Sequence, residues 1–311
     1  MILILSDEFD FSTTQVLEWL DYYSLKWIRI NPNEKIKLKF LGEDILFDLK
    51  GNSFFLSEVE GFWYRRGFLN LFNSFSIKSQ EIINIQKEEL YKIVDFIFYE
   101  LKNKISINDY NNSDVNKLIV SSIARQFGLK TPKDLIFSEK AFMQDYVKDQ
   151  PYITKTISGN TVFKIENYQV FNYTSLIDLE KIKYSESFFP SFVQDNIIKK
   201  FELRIFYFKD DFYSMAIFSQ LDKKTKVDFR NYNKEKPNRR VPYKLPTIIK
   251  SRLTKLMKKL DLDCGSIDMI VNHDNEYIFL EVNPIGQFGM VSYPCNFKLE
   301  KIIANYFNEK K

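Results

Sequence analysis

Hydrophobic and polar positions change period along this chain, and each change marks an element. Residues 1–5 form an apolar run that predicts a buried strand. From Ser12 to Leu25, Val16, Leu17 and Leu20 fall on one helical face, with Ser12 as candidate N-cap. A strand over 26–30 closes at Asn31-Pro32-Asn33. Strand-like runs follow at 36–40, 44–49 and 61–66, then a long amphipathic helix over 80–101. This β-α-β opening predicts a small open α/β domain ending near residue 110.

Polar residues Asn108 to Ser113 mark the first boundary. A helix is expected from Asp114, as cap, to Phe127, with Gly128 at its end. Strands at 134–138, 151–157 and 161–166 surround a helix near 138–148, and Ser158-Gly159-Asn160 reads as a hairpin turn. Strands at 191–197, 202–208 and 212–218 follow. A helix over 246–260 aligns Leu253, Leu256, Met257 and Leu260, a hairpin spans 265–283, and a final helix covers 297–307. The fold class is α/β (α+β), divided as 1–110, 111–190 and 191–311. No internal repeat is visible.

Composition narrows the chemistry. The chain has 311 residues, 45% hydrophobic and 28% charged, which is ample for a packed core. No apolar run reaches the roughly 18 residues of a membrane span, and two cysteines make no disulfide framework. The expectation is a soluble cytoplasmic protein. With nine glycines and no phosphate-loop, dinucleotide or nucleophile-elbow motif, the chain lacks the sequence marks of P-loop nucleotide binding, dinucleotide binding and serine-hydrolase chemistry. His273 is the sole histidine, so His-based triads and multi-His zinc sites lack material. An enzyme built from this chain would work through carboxylates, Lys, Arg and a bound metal.

Charge is uneven. The net charge is +4, yet residues 223–259 carry fourteen Lys/Arg and two acids. Such a block suits a solvated face or an anion-facing surface.

The 265–283 hairpin carries the strongest signal. Strand alternation places Glu281 and Asn283 on one face. If Val271 pairs with Glu276, Asp268 lies opposite Phe279 and diagonal to Glu281. Three oxygen donors then converge, a set that suits magnesium. A wet sheet face would show the same spacing, and both readings stand on spacing alone.

Asp268 followed by Glu281-Val282-Asn283-Pro284 resembles the metal-binding signature of the ATP-grasp superfamily. Other fragments follow in that family's order: Asn116-Lys117-Leu118, Tyr152-Ile153-Thr154-Lys155, Phe192-Val193-Gln194-Asp195-Asn196-Ile197, Glu202-Leu203-Arg204 and Asp228-Phe229-Arg230-Asn231. More narrowly, Phe62-Trp63-Tyr64-Arg65-Arg66, the 238–246 segment and the 283–289 segment are similar to graspetide synthetases, the microviridin-type and grasp-with-spasm peptide maturases. The resemblance implies an ATP-grasp fold with an N-terminal domain, a central domain and a C-terminal domain, and ATP and Mg2+ as cofactors. It implies metal ligation by Asp268, Glu281 and Asn283. Lys117, Lys155, Gln194, Asp195, Ile197 and Asn231 would hold nucleotide. Glu202, Arg204, Arg230 and Arg240 would line the reaction centre, and Arg65, Arg66 and Arg239 would contact substrate. The implied reaction closes ω-ester or ω-amide links within a ribosomally made precursor peptide carrying a leader, with no membrane or nucleic-acid partner and with a homodimer admitted. Strand alternation would put Arg65 and Arg66 on opposite faces, making one of them structural. The competing expectations are a RimK-like ligase adding an amino acid and a non-catalytic anion- or nucleic-acid-binding protein.

Overall fold

The computed structural model describes residues 1–49, 51–71, 79–146, 151–158, 162–166, 168–171, 174–178, 186–220, 235 and 237–310. The chain divides into two compact units. One comprises Met1–Ser113, Asp261–Cys264 and Pro284–Lys311; the other comprises Asp114–Leu260 and Gly265–Asn283.

The first unit is built on a parallel sheet in the order Trp27–Ile30, Ile2–Leu5, Gly61–Tyr64, Ile105–Ile107. All four residues of Ile2–Leu5 are buried, as a central parallel strand covered on both faces requires. Helix Phe11–Tyr22 packs against helix Leu299–Lys310. Gly61 permits that helix to approach, since a Cβ there would lie 2.9 Å from the Phe307 ring. A three-stranded antiparallel sheet (Lys37–Leu41, Asp44–Leu49, Asn52–Phe55) and helix Gln80–Lys102 share one apolar core that includes Leu3, Phe47, Phe54, Phe62 and Phe98.

Asn108, at the polar boundary, is a structural clamp. Its φ of +55° is a left-handed conformation that Asn tolerates. Its amide nitrogen donates to the Cys264 and Pro284 carbonyls at 3.0 and 3.2 Å. Its amide oxygen accepts from the Asp263 and Cys264 N–H groups, both at 3.0 Å. Four bonds from one side chain tie the returning chain segments to the unit's sheet.

The second unit holds two main sheets. A four-stranded sheet runs in the order Ser175–Leu176, Tyr152–Thr154, Ser187–Asp195, Asp134–Glu139. A five-stranded sheet runs Arg239–Tyr243, Asp211–Phe218, Lys199–Phe208, Cys264–Asn272, Tyr277–Asn283. Helix Lys117–Gln126 packs on strand Tyr277–Asn283 and on helix Thr247–Lys259.

Several local expectations are corrected. The N-cap of the first helix is Asp10, whose side chain accepts from Thr13 N–H, rather than Ser12. Helix Lys117–Gln126 is capped by Asn116, which accepts from Leu118 and Ile119 N–H, rather than by Asp114. In both cases the true cap sits where its oxygen reaches the free donors of the first turn. Strands Tyr152–Thr154 and Val162–Ile165 do not form a hairpin; the former pairs with Ser175–Leu176 and Ser187–Asp195, and the latter with Tyr168–Phe171. Gly159 and Asn160 lie outside the described residues.

Candidate active site

The 264–283 hairpin adopts a register that alternation alone did not give. Val271 pairs with Tyr277 and Met269 with Phe279, but Asp268 pairs with Glu281. Leu280 is the extra residue of a bulge, which re-aims the strand beyond it. The two carboxylates therefore stand directly opposite rather than diagonal, closer than the expected register allows.

Each carboxylate meets a cation. Arg204 donates to Asp268 Oδ2 at 2.6 Å, and both residues are largely buried. Lys117 Nζ lies 3.3 Å and Lys155 Nζ 3.9 Å from Glu281 Oε2. Lys117 also donates to the Thr156 carbonyl at 2.9 Å, and Lys155 lies over the Phe192 ring. The helix start at Lys117, the strand end before Lys155 and the bulged hairpin thus bring two lysines onto one carboxylate oxygen.

Glu202 completes the cluster. It is buried, ion-pairs with Lys199 and accepts from Ser219 Oγ at 2.6 Å. Burial pushes its carboxyl above the usual glutamate range; Lys199 and Ser219 oppose the shift, and Asp268 adds to it. Lys199 and Ser219 were not singled out in the sequence. A lysine and a serine on neighbouring strand ends carry no motif, and only the fold brings them to Glu202.

One cleft is lined by Lys155, Gln194, Asp195, Ile197, Glu202, Asp268 and Glu281, among others. Lys155 also borders a second, wider cavity of about 660 Å³. Gln194 is buried; its nitrogen donates to Asp134 at 2.6 Å, and its oxygen has no hydrogen-bond partner among the described residues. Asp195 accepts from the Lys133 N–H at 3.2 Å. The Arg204 Nε is likewise buried without an acceptor among the described residues. Such orphaned polar atoms are costly unless a ligand or water meets them.

Other expected residues fall elsewhere. Asn283 is exposed and pairs in register with Ser266. Glu202, Ile217 and Arg240 form one row across three strands, so Arg240 shares the face of Glu202 and Arg204. Arg239 opposes Phe218, on the other face, and its guanidinium covers that ring. Arg230 and Asn231 lie outside the described residues. In the other unit Arg65 is buried and donates to Asp10 at 3.0 Å, while Arg66 Nε lies 3.2 Å from the same oxygen. The strand ends at Tyr64, and the Arg65 and Arg66 N–H groups both donate to the Leu5 carbonyl. Alternation stops there, which is why both arginines reach one carboxylate.

The donor set fits a hard divalent cation. Two opposed carboxylates supply oxygen only, as Mg2+ prefers, and Mg2+ commonly takes one or two carboxylates plus phosphates. Among the described residues there is no group of three or more His, Cys, Asp or Glu to hold a metal by itself. Phosphate oxygens would have to complete such a shell. At the carboxylate pair itself, Lys117, Lys155 and Arg204 outnumber Asp268 and Glu281, while Glu202 is matched by Lys199.

No family profile and no curated protein matches the chain. Solved structures do. The chain is similar to the macrocyclase MdnC of Microcystis aeruginosa MRC, solved bound with precursor peptide MdnA, at 27% identity over 100% of both chains with a TM-score of 0.82. It is similar to a Chryseobacterium gregarium RiPP-associated ATP-grasp ligase, solved with ADP and a leader and core peptide, at 22% identity over 98% of this chain and 94% of that one, TM-score 0.78. Its likeness to the ATP-grasp ligase PsnB, solved with a precursor variant, Mg and ADP, is one of fold, at 12% identity over 100% and 98%, TM-score 0.73. The chain has the fold of these ATP-grasp enzymes over its whole length, and that likeness supports the resemblance to the graspetide synthetases.

Proposed function

We propose that this enzyme uses ATP and Mg2+ to join side chains within a ribosomally made precursor peptide, activating Asp or Glu carboxylates and closing ester links with Thr/Ser or amide links with Lys. The observation that carries the reading is the face-to-face placement of Asp268 and Glu281 with Arg204, Lys117 and Lys155 around them. The likeness to a macrocyclase solved with its precursor supports the peptide as substrate.

A carboxylate is a poor electrophile because its leaving group would be oxide. In the first step a substrate carboxylate oxygen attacks the γ-phosphorus of ATP, and the bond to ADP breaks. In the second, a hydroxyl or amine attacks the acyl carbon, inorganic phosphate leaves, and the nucleophile's proton passes to a base. Charge repulsion between ATP and the carboxylate is the obstacle. Lys117 and Lys155 would lie against phosphate oxygens, and Arg204, with its spare Nε, would orient the incoming carboxylate. Asp268, Glu281 and Asn283 would hold Mg2+, which when bound supplies charge neutralisation at the phosphates. Gln194, Asp195 and Ile197 would border the base, with Gln194 Oε1 as an acceptor. Glu202 would take the proton. We also retain 111–190 and 191–311 as the nucleotide-holding parts, preceded by 1–110.

The test is mass spectrometry of full-length precursor incubated with enzyme, ATP and Mg2+. Each ring closed removes one water and consumes one ATP. A product enlarged by an added amino acid would mark the RimK-like reading. An unmodified peptide with no ADP formed would defeat catalysis on this substrate.

Glu202 makes a pH prediction. A base acts when ionised, and burial moves Glu202 upward. Single-turnover rate should therefore rise with pH through a point above the usual glutamate range. Glu202→Gln should lose that limb along with most of the rate. Retention of the limb in the variant would assign the proton to another group.

A further inference from the structure

We propose that helix Thr247–Lys259 and the turn before it form a docking surface that gathers the acidic stretch of the precursor peptide. The peptide as occupant rests on the ligase reading above; the surface stands on charge and exposure. From Lys244 to Leu260 the chain carries six Lys/Arg and no acid. Ile249, Leu253, Leu256 and Met257 are buried and form the inner face of the helix. Lys255, Lys258 and Lys259 lie on the exposed face, Lys244 is exposed just ahead of the helix, and Lys250 is half-buried at its flank. Two of the six cations have local roles. Lys258 pairs with Asp210 at 3.0 Å, and Arg252 lies against Gly128, just past the end of helix Lys117–Gln126, where a cation is favoured. Lys244, Lys250, Lys255 and Lys259 make no ion pair among the described residues. Lys255 repels Lys258 and Lys259 at i,i+3 and i,i+4 spacing, so a helix that needed only solubility would mix signs here.

Charge complementarity names the occupant. A substrate that offers Asp or Glu side chains for activation is an acidic chain, and lysines without counter-ions supply the opposite sign. Lysine suits the task. Its ammonium is a point charge on a flexible stem, so it can meet carboxylates in many registers of a sliding peptide. Location agrees with this. Strand Arg239–Tyr243 puts Arg240 on the face of Glu202 and Arg204. Thr247 follows seven residues later, so the helix begins within about 25 Å of Arg240 even if the chain between were fully extended. A peptide gathered on the helix is thus within a few residues' reach of that face. Nucleic acid would meet the same charges, but residues 244–260 contain no aromatic side chain on which a base could stack.

The test is stopped-flow association of the full chain with a fluorescent peptide of alternating Glu and Thr at several salt concentrations, beside a single-stranded RNA of equal charge. Wild type should capture the peptide faster as salt is lowered. Combining Lys244→Gln, Lys255→Gln and Lys259→Gln should slow capture at least fivefold at low salt and flatten the salt dependence. Nucleotide affinity, thermal melting and ring closure at saturating precursor should stay within about twofold, because rim charges act on encounter. A control combining Lys39→Gln, Lys87→Gln and Lys92→Gln, all exposed, loses the same net charge elsewhere and should capture the peptide as wild type does. Equal slowing in the control would reduce the effect to net charge, and unchanged capture in the first variant would return the helix to a solvated face; either overturns the proposal. So would RNA that binds more tightly than the peptide and loses more in the variant, or ring closure at saturation that falls as far as capture. A precursor captured through these lysines yet left unmodified by wild type would defeat the ligase reading and support the surface.

Discussion

Glu281→Gln should reduce ring closure at least a hundredfold to a thousandfold while the protein still folds. The substitution keeps the side chain's shape and removes one negative charge. In the native arrangement one oxygen of Glu281 faces the ammonium groups of Lys117 and Lys155, at 3.3 and 3.9 Å. It also stands opposite Asp268. Two functions are lost together: the counter-charge that lets two lysines share a small volume, and half of the carboxylate pair offered to a divalent ion. Charge stabilisation of phosphoryl transfer by such a set is worth several kcal/mol, and each 1.4 kcal/mol is about tenfold in rate. Glu281 is partly exposed, so its loss should affect folding less than rate. Product formation, ADP release and thermal melting would be followed on one preparation. Near-native turnover with an unchanged magnesium requirement would remove Glu281 from the site. Loss of turnover together with loss of the folded state would make it structural, and Glu281→Asp, which keeps the charge, would then tell the two apart.

Much of this arrangement was legible in the sequence, for reasons that can be stated. Helix Gln80–Lys102 and strand Ile2–Leu5 were visible because long periodic or unbroken apolar segments leave few alternatives. The convergence of Asp268 and Glu281 was visible because a hairpin is local. Its register was not, because period-2 reasoning assumes a regular ladder and a bulge adds one residue without a sequence mark. The same assumption separated Arg65 from Arg66, although the strand ends one residue earlier. For Arg239 and Arg240 alternation holds, and it puts the two on opposite faces. Strand Asn52–Phe55 and helix Gly289–Cys295 were missed; one is four residues long and the other contains Pro294, so neither shows a period. Lys199 and Ser219 were missed because a buried pairing with Glu202 depends on contacts across strands rather than on spacing along one.

Asp10→Ala should be the most destabilising single change at the first unit's polar cluster, by about 3–5 kcal/mol, the usual cost of leaving a buried charge without its partner. The Asp10 carboxylate is fully buried and Arg65 is nearly so, with 3.0 Å between Nε and Oδ2. Burial pushes the Arg65 guanidinium down and Asp10 is the main group opposing that shift, so the pair stays charged through mutual contact. Asp10 also caps helix Phe11–Tyr22, accepting from Thr13 N–H at 3.3 Å, a contact worth about 1 kcal/mol. Arg66 shares the same oxygen but is 31% exposed on its side chain, so water can take over part of its solvation. Asp10→Asn separates the two roles. It keeps a capping oxygen and loses the charge, and it should fall between wild type and Ala. Combining Asp10→Asn with Arg65→Met removes the charge from both sides and should recover much of the loss, because an apolar replacement of a buried pair is often neutral. Urea unfolding of the four proteins measures these steps directly. A cost near or below 1 kcal/mol for Asp10→Ala would mean that water or a rearranged side chain reaches Arg65, and the cluster would then be a solvated anion site rather than a sealed structural pair.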